Sequence, residues 1–220
     1  MRGWIALLTI CCAGQLYSDT NRSTISIIEL SHRPPSSALR DYRESAKSFK
    51  AGDVAAALER LEHGLALDPK NVAAHNDLGI LYLETNQPLK ALREFERMLE
   101  LDPRSAAGRR NLSSAFLALK RFPEAEEAAR KALELDSGSS TAHLLLGFSL
   151  IGQHKYNSET LRCLRRAAEE FSEALLAVAD VLVRLGQPEE ARQQVERYMQ
   201  SAEPAQKDLG RVLLRMLTLE

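Results

Sequence analysis

Histidine is the residue of this sequence best suited to metal binding or acid–base catalysis. His75 and His143 both fall at the fourth position of a helix predicted from the apolar pattern, 68 positions apart. Because packed helices lie about 8–10 Å apart, we expect the two imidazoles to be roughly 20 Å from each other. Ligands of one metal ion must converge. His63 and His154 have no Cys or His partner at ligand spacing, so the pattern favours histidines that serve packing or lie at the edge of a groove.

No other catalytic arrangement stands out in the chain. Glu124, Glu126 and Glu127 fall close together in a predicted helix, which is typical of a solvated face rather than a pair of catalytic carboxyls. The serines lack a nucleophile-elbow motif, and no glycine-rich phosphate loop is present. The sequence therefore predicts no cofactor, no metal and no enzymatic activity.

Composition and charge favour an all-helical protein. The chain has 220 residues, of which 45% are hydrophobic, 27% charged and 5% aromatic. This alanine- and leucine-rich composition suits stacked helices better than sheets. The formal net charge is −1, and no run of basic residues with interleaved aromatics occurs, so we expect no nucleic-acid partner.

The first 14 residues differ in composition from the rest. Arg2 precedes a short apolar run that ends in small residues, which is typical of a secretory signal peptide over residues 1–14. The run is shorter than the ~20 apolar residues that span a bilayer. We therefore expect a periplasmic or secreted protein. An N-terminal membrane anchor is the alternative, although Ile10 before Cys11 disfavours lipidation at that cysteine, and a disordered start in a cytoplasmic protein stays open.

Residues 15–37 are predicted to form a linker, because they are rich in polar residues and contain Pro34-Pro35. Apolar residues at 25–30 interrupt this composition and offer a short segment that packs on the first helices or on a partner. Without residues 1–14, Cys163 is the remaining thiol. It falls at an apolar position of a predicted helix, so we expect a buried, unreactive cysteine and no disulfide.

A period of 34 residues organises the rest of the chain. The triplet Leu67-Asp68-Pro69 recurs as Leu101-Asp102-Pro103 and, with one change, as Leu135-Asp136-Ser137. A helical pattern at this spacing is a repeat signature. Within one period, Leu78 and Tyr82 form the apolar stripe of a first helix, and Pro88 suits the first turn of a second helix.

This pattern resembles the tetratricopeptide repeat, a helix–turn–helix unit of 34 residues. With Val72 as the first position, Gly79 and Ala91 match two of its three small positions, and Met98 replaces the third. The larger positions are also matched, by Leu78, Tyr82, Phe95 and the closing Pro103. The resemblance implies an all-α, right-handed superhelical solenoid of about five repeats.

The predicted repeat domain runs from residue 38 to residue 220. Its predicted repeats and final capping helix are 38–71, 72–105, 106–139, 140–171, 172–205 and 206–220. In the second helix of the fourth repeat, Glu159, Cys163 and Arg166 stand where the pattern requires small, large and small residues. We expect a local distortion there.

The resemblance implies that a partner lies in a concave groove lined by the first helices. By this resemblance, twelve side chains of this sequence are assigned to the groove: Tyr42, Phe49, Asn76, Ile80, Leu83, Arg110, Leu117, Leu144, Phe148, Ile151, Leu176 and Val183. The alternative, that neighbouring helices or the 25–30 segment cover the apolar ones, stays open. The subclass that clamps peptide carboxyl termini uses lysines in this groove, whereas the clamp positions here have no lysine and include Asp77.

The sequence thus favours a non-enzymatic scaffold that binds a protein or peptide in its groove outside the cytoplasm. The alternative is a structural or assembly subunit of an envelope complex, which would contact partners through its convex face or its terminal helix. A third hypothesis, an accessory fragment of an enzyme, has no catalytic residues to support it. The identity of the partner does not follow from a repeat scaffold.

Overall fold

The fold of the chain is all-helical, as predicted. A computed structural model describes residues 34–202 and 207–217, and within these ranges it contains helices and turns without a strand. The predicted signal peptide, nearly all of the linker and the last three residues lie outside the described part. None of the described helices is long and apolar enough to span a membrane.

The chain divides into two compact units, one up to Arg121 and one from Phe122 onward. The first unit contains α1 (Ser36–Lys50), α2 (Val54–Leu67), α3 (Val72–Glu84), α4 (Pro88–Leu101) and α5 (Ala106–Ala118). The second unit contains α6 (Phe122–Leu135), α7 (Ser140–Gly152), α8 (Ser158–Ala167), α9 (Ala174–Arg184), α10 (Pro188–Ser201) and α11 (Lys207–Leu217). The helix bounds follow the 34-residue period of the sequence.

The turn after each first helix has the same backbone geometry. The fifteenth residue of every repeat has a positive φ, at Gly52, Asn86, Lys120, His154 and Gly186. The next residue donates its N–H to the carbonyl five residues earlier, as from Gln87 to Tyr82 over 2.7 Å. This bond and the left-handed residue before it form a Schellman cap, which satisfies carbonyls left unpaired at a helix end.

Three of the five first helices, α3, α5 and α7, also begin alike. The side chains of Asn71, Ser105 and Ser139 each accept a hydrogen bond from a backbone N–H three residues on, over 3.0, 3.1 and 3.3 Å. Such N-caps contribute about 1 kcal/mol each. The three caps occupy the last position of successive repeats, so the period of the chain is also a period of helix starts.

Within a repeat, a glycine lets the two helices approach. In the first unit, a Cβ built on Gly79 would collide with the ring of Phe95. In the second unit, Gly147 faces Leu164 in the same way, and a Cβ there would lie only 2.5 Å from the leucine side chain. Phe95 and Leu164 are both fully buried. The small residue in one helix and the large residue in the other are therefore complementary, as the sequence predicted for the Gly79 repeat.

The fourth repeat follows the pattern with a shift of one residue. Its small, large and small positions are taken by Thr160, Leu164 and Ala167, which are all fully buried. The assignment of Glu159, Cys163 and Arg166 to these positions was wrong, because five residues separate α7 from α8, whereas three residues separate the two helices of every other repeat. Asn157 caps α8 through hydrogen bonds to two backbone N–H groups. α8 has 10 residues, whereas α2, α4, α6 and α10 have 14 each.

Candidate partner-binding surface

The histidines at the fourth repeat position form hydrogen bonds to the backbone of the segment that precedes the first helix. Nε2 of His75 lies 3.1 Å from the carbonyl of Pro69, and Nε2 of His143 lies 3.2 Å from that of Ser137. Arg109, at the same position between them, donates to the carbonyl of Pro103 over 3.5 Å. The favoured interpretation of these histidines as packing residues agrees with these bonds.

The remaining candidate ligands have local partners. Nδ1 of His63 lies 2.7 Å from a carboxylate oxygen of Asp41, which is itself buried. Cys163 is buried, and this burial raises the pKa of its thiol, as expected for an unreactive cysteine. Within residues 34–202 and 207–217, no three His, Cys, Asp or Glu side chains are grouped so that they could hold a metal ion.

Six of the twelve groove candidates are buried. They are Tyr42, Ile80, Leu144, Phe148, Ile151 and Leu176, each at most 8% exposed. Tyr42 lies between α1 and α2, where its hydroxyl donates to the carbonyl of Gly64 over 3.1 Å. In the second unit, both first helices are buried on nearly all sides, since α7 has nine buried residues and α9 has eight. These six side chains are not available to a partner in this structure.

The other six candidates are partly exposed, and five of them belong to the first unit. They are Phe49, Asn76, Leu83, Arg110, Leu117 and Val183. Phe49 and Leu83 also pack against the core cluster of the first unit, whereas Leu117 is not among the residues that do so. α3 and α5 contact each other, and this pair of first helices carries Asn76, Leu83, Arg110 and Leu117.

A chain of polar side chains joins α5 to α3. Asn111 donates from Nδ2 to Oδ1 of Asn76 over 2.6 Å, and Asn76 donates from Nδ2 to Oδ1 of Asp77 over 3.2 Å. Asp77 is only 5% exposed. Burial raises the pKa of this carboxyl, the bond from Asn76 partly opposes the rise, and the result is about 7. The sequence placed Asp77 at a clamp position and Asn76 in the groove, but gave no signal that the carboxyl is buried.

Sequence reasoning missed a charged network in the second unit. Glu126, expected on a solvated face, has a side chain that is 15% exposed. It accepts hydrogen bonds from Arg130 over 2.8 Å, Lys155 over 2.9 Å and Gln153 over 2.7 Å. Burial alone would raise its pKa, but these donors together outweigh it and lower the pKa to about 2. The network ties α6 to the end of α7, which makes it a structural feature.

The terminal helix presents apolar side chains to solvent. On α11, Leu213 is buried and Gly210 packs against Met199 of α10. Leu209 and Val212 on the same helix are 48% and 51% exposed. The helix packs on α10 with one face and leaves a small apolar face exposed to solvent.

Comparison with known proteins agrees with the repeat pattern. A family model described as tetratricopeptide repeat matches residues 42–91 and, in a second placement, residues 76–140. Over residues 42–140, the chain belongs to the tetratricopeptide repeat family. Proteins of this family are typically non-enzymatic scaffolds for protein–protein interaction. Among curated proteins, none matches this tetratricopeptide repeat chain significantly.

Solved structures share the fold of this tetratricopeptide repeat protein at low sequence identity. MamA from Desulfovibrio magneticus RS-1, from residue 41 to its end, superposes with a TM-score of 0.69 at 16% identity, covering 76% of this chain and 96% of that one. The pilF protein of Pseudomonas aeruginosa gives 0.66 at 19% identity, with 83% and 89% covered. TTC0263, a thermophilic TPR protein of Thermus thermophilus, gives 0.65 at 20% identity, with 83% and 100% covered. At these identities the likeness concerns the fold.

Proposed function

We propose that this protein is a non-enzymatic scaffold that binds a segment of a partner protein along the first helices of its first unit. One observation carries the proposal. The partly exposed groove positions concentrate on α3 and α5, where apolar Leu83 and Leu117 stand beside polar Asn76 and Arg110. A mixed apolar and polar strip of this kind suits a bound peptide or helix.

Substitution at Leu117 tests this surface. Leu117 is partly exposed and lies outside the core cluster, so Leu117→Glu should leave the fold intact while placing a charge in the contact. We expect a partner captured by the full chain from a cell extract, and identified by mass spectrometry, to be lost or weakened at least tenfold. Isothermal titration with the purified partner measures the change.

Leu89→Glu is the matched control. Leu89 is 62% exposed on α4, a second helix, so the same substitution there should leave binding unchanged. Circular dichroism checks that both variants stay helical. Equal binding by both variants would contradict the location of the surface on α3 and α5.

A second candidate function is assembly through the terminal helix. The end units of repeat proteins normally present a polar outer face to water, whereas Leu209 and Val212 are about half exposed here. We expect Leu209→Glu combined with Val212→Glu to dissociate an oligomer of the full chain, as measured by light scattering after gel filtration. A wild-type chain that stays monomeric at high concentration would count against this function.

We also propose that the protein acts outside the cytoplasm. Support comes from the sequence of residues 1–14, which resembles a cleavable signal peptide. N-terminal sequencing of the protein from its native cells should find a chain that begins after Ala13 or Gly14. A chain with an intact N-terminus in the cytoplasmic fraction would overturn this location.

A further inference from the structure

A buried carboxyl group in the first unit lies next to the proposed partner surface and lacks a counterion. Asp77 forms no ion pair with any described residue, and its one hydrogen bond comes from Asn76 to Oδ1. Its second oxygen, Oδ2, receives no donor from the described part of the chain. A buried carboxylate without a cation is costly, by several kcal/mol in general.

Glu62, Glu94 and Arg110, which lie on the three helices packed against α3, are engaged elsewhere. Glu62 of α2 accepts a hydrogen bond from Tyr82 over 2.5 Å, and Glu94 of α4 lies 2.7 Å from Nδ1 of His75. Arg110 of α5 has an interaction of its own and forms none with Asp77. The pKa of Asp77 is accordingly raised by burial with no neighbouring charge to oppose the rise.

We propose that the chain of Asn111, Asn76 and Asp77 is a recognition site for a basic side chain, lysine or arginine, of the partner segment that lies on α3 and α5. A partner cation would supply the missing donor to Oδ2 and offset the cost of the buried carboxylate. Hydrogen bonds between charged groups are about twice as strong as neutral ones. The side-chain nitrogen of Asn111 donates a hydrogen bond to Asn76. The side-chain oxygen of Asn111 offers the cation a second acceptor.

This site deepens the proposed function and rests on it, because both place the partner on the first helices of the first unit. It also means that the surface prefers a partner segment with a positive charge at this point. A segment that presents a carboxylate to Asp77 would be repelled, whereas one that presents a lysine would be drawn in.

Only the deprotonated carboxyl attracts a cation, so the site predicts a pH dependence with a definite sign. With a pKa of about 7, roughly 10% of the Asp77 side chains are charged at pH 6 and roughly 90% at pH 8. Binding of a lysine side chain should therefore strengthen about tenfold between these two values. The ammonium group itself stays protonated throughout this range.

The test uses the full chain and a minimal probe, N-acetyl-lysine N-methylamide, with the norleucine analogue as its uncharged counterpart. Side-chain amide signals of Asn76 and Asn111 in nitrogen-15 spectra report binding. We expect saturable shifts with the lysine probe, an apparent affinity about tenfold higher at pH 8 than at pH 6, and no saturable shift with the norleucine analogue.

Two variants complete the test. Asp77→Asn keeps the shape and the acceptor for Asn76 but removes the charge, so the shifts and their pH dependence should vanish. Asp102→Asn changes an exposed carboxylate outside the surface and should behave like the wild type. Equal shifts with both probes, no shift with either, or unchanged binding by Asp77→Asn would each overturn the site. The capture experiment with Leu117→Glu would still decide the proposed function, so the two failures are distinguishable.

Discussion

At the scale of single residues, the buried carboxyl of Asp77 makes the stability of the protein depend on pH. A carboxyl whose pKa is raised in the folded state binds its proton more tightly there than in the unfolded chain. Its favourable contribution to stability is complete below about pH 4 and is lost as the pH rises through about 7. The free energy of unfolding should therefore decrease over this range.

Asp77→Asn tests this linkage. The amide keeps the hydrogen bond from Asn76 and carries no charge, so we expect the variant to be more stable than the wild type by about 1–3 kcal/mol at pH 8. At pH 4 the two proteins should differ little. Urea unfolding at several pH values measures the difference, and a variant that is less stable at pH 8 would show that the charge of Asp77 is compensated.

A second residue-scale prediction concerns the left-handed turn position. Lys120 has a φ of 57°, a region that costs a side-chain-bearing residue about 1 kcal/mol or more relative to glycine. We expect Lys120→Gly to stabilise the protein by about 0.5–1 kcal/mol in thermal unfolding, after the entropy cost of glycine in the unfolded chain. Lys120→Ala is the control, because alanine retains the strain and should give no gain.

At the scale of helices, the Glu126 network decides how α6 and the end of α7 are joined. Because its pKa is lowered to about 2, the carboxylate stabilises the fold above about pH 4.5, and this contribution is lost as the pH falls through about 2. The donor Arg130 lies on α6 itself, and the donors Gln153 and Lys155 lie in the turn after α7. Such a network is better fixed than an isolated surface pair.

Glu126→Gln should destabilise the protein by about 1–2 kcal/mol at pH 7, since it removes the carboxylate that Lys155 and Arg130 share, although Arg130 keeps its ion pair with Glu159. Glu127→Gln is the matched control. Glu127 has a side chain that is 66% exposed and, among the described residues, pairs with Lys131 alone, so its loss should cost at most about 0.5 kcal/mol. Similar losses in chemical unfolding for both variants would mean that the Glu126 network adds little to an ordinary surface pair.

At the scale of the whole molecule, burial is uneven among equivalent helices. The first helix α5 has three buried residues, Gly108, Ser113 and Ala115, whereas α7 has nine. Backbone protection from hydrogen exchange follows buried packing. We expect amides in the middle of α5 to exchange faster than those in α7, as measured by mass spectrometry, and equal protection would contradict this ranking.

Most of the fold follows from local sequence signals, and most of the surface does not. The 34-residue period, the glycine at position 79 and the proline at position 88 are enough to place helix pairs. The one-residue shift before α8 escaped prediction because Cys163 and Leu164 are both apolar, so the pattern fits either register. Burial of Phe148 and Leu176 was left open by the sequence for another reason. A repeat position defines which face of a helix a side chain occupies, and whether that face is covered depends on tertiary packing.

The buried thiol of Cys163 has a practical consequence for experiments on this protein. In a chain that lacks residues 1–14, it is the only cysteine, and its raised pKa and burial make it slow to react with maleimides. A new cysteine at an exposed site such as Leu89 would then carry a fluorescent dye selectively. Distances and partner binding become measurable by fluorescence without removing a native residue from the core.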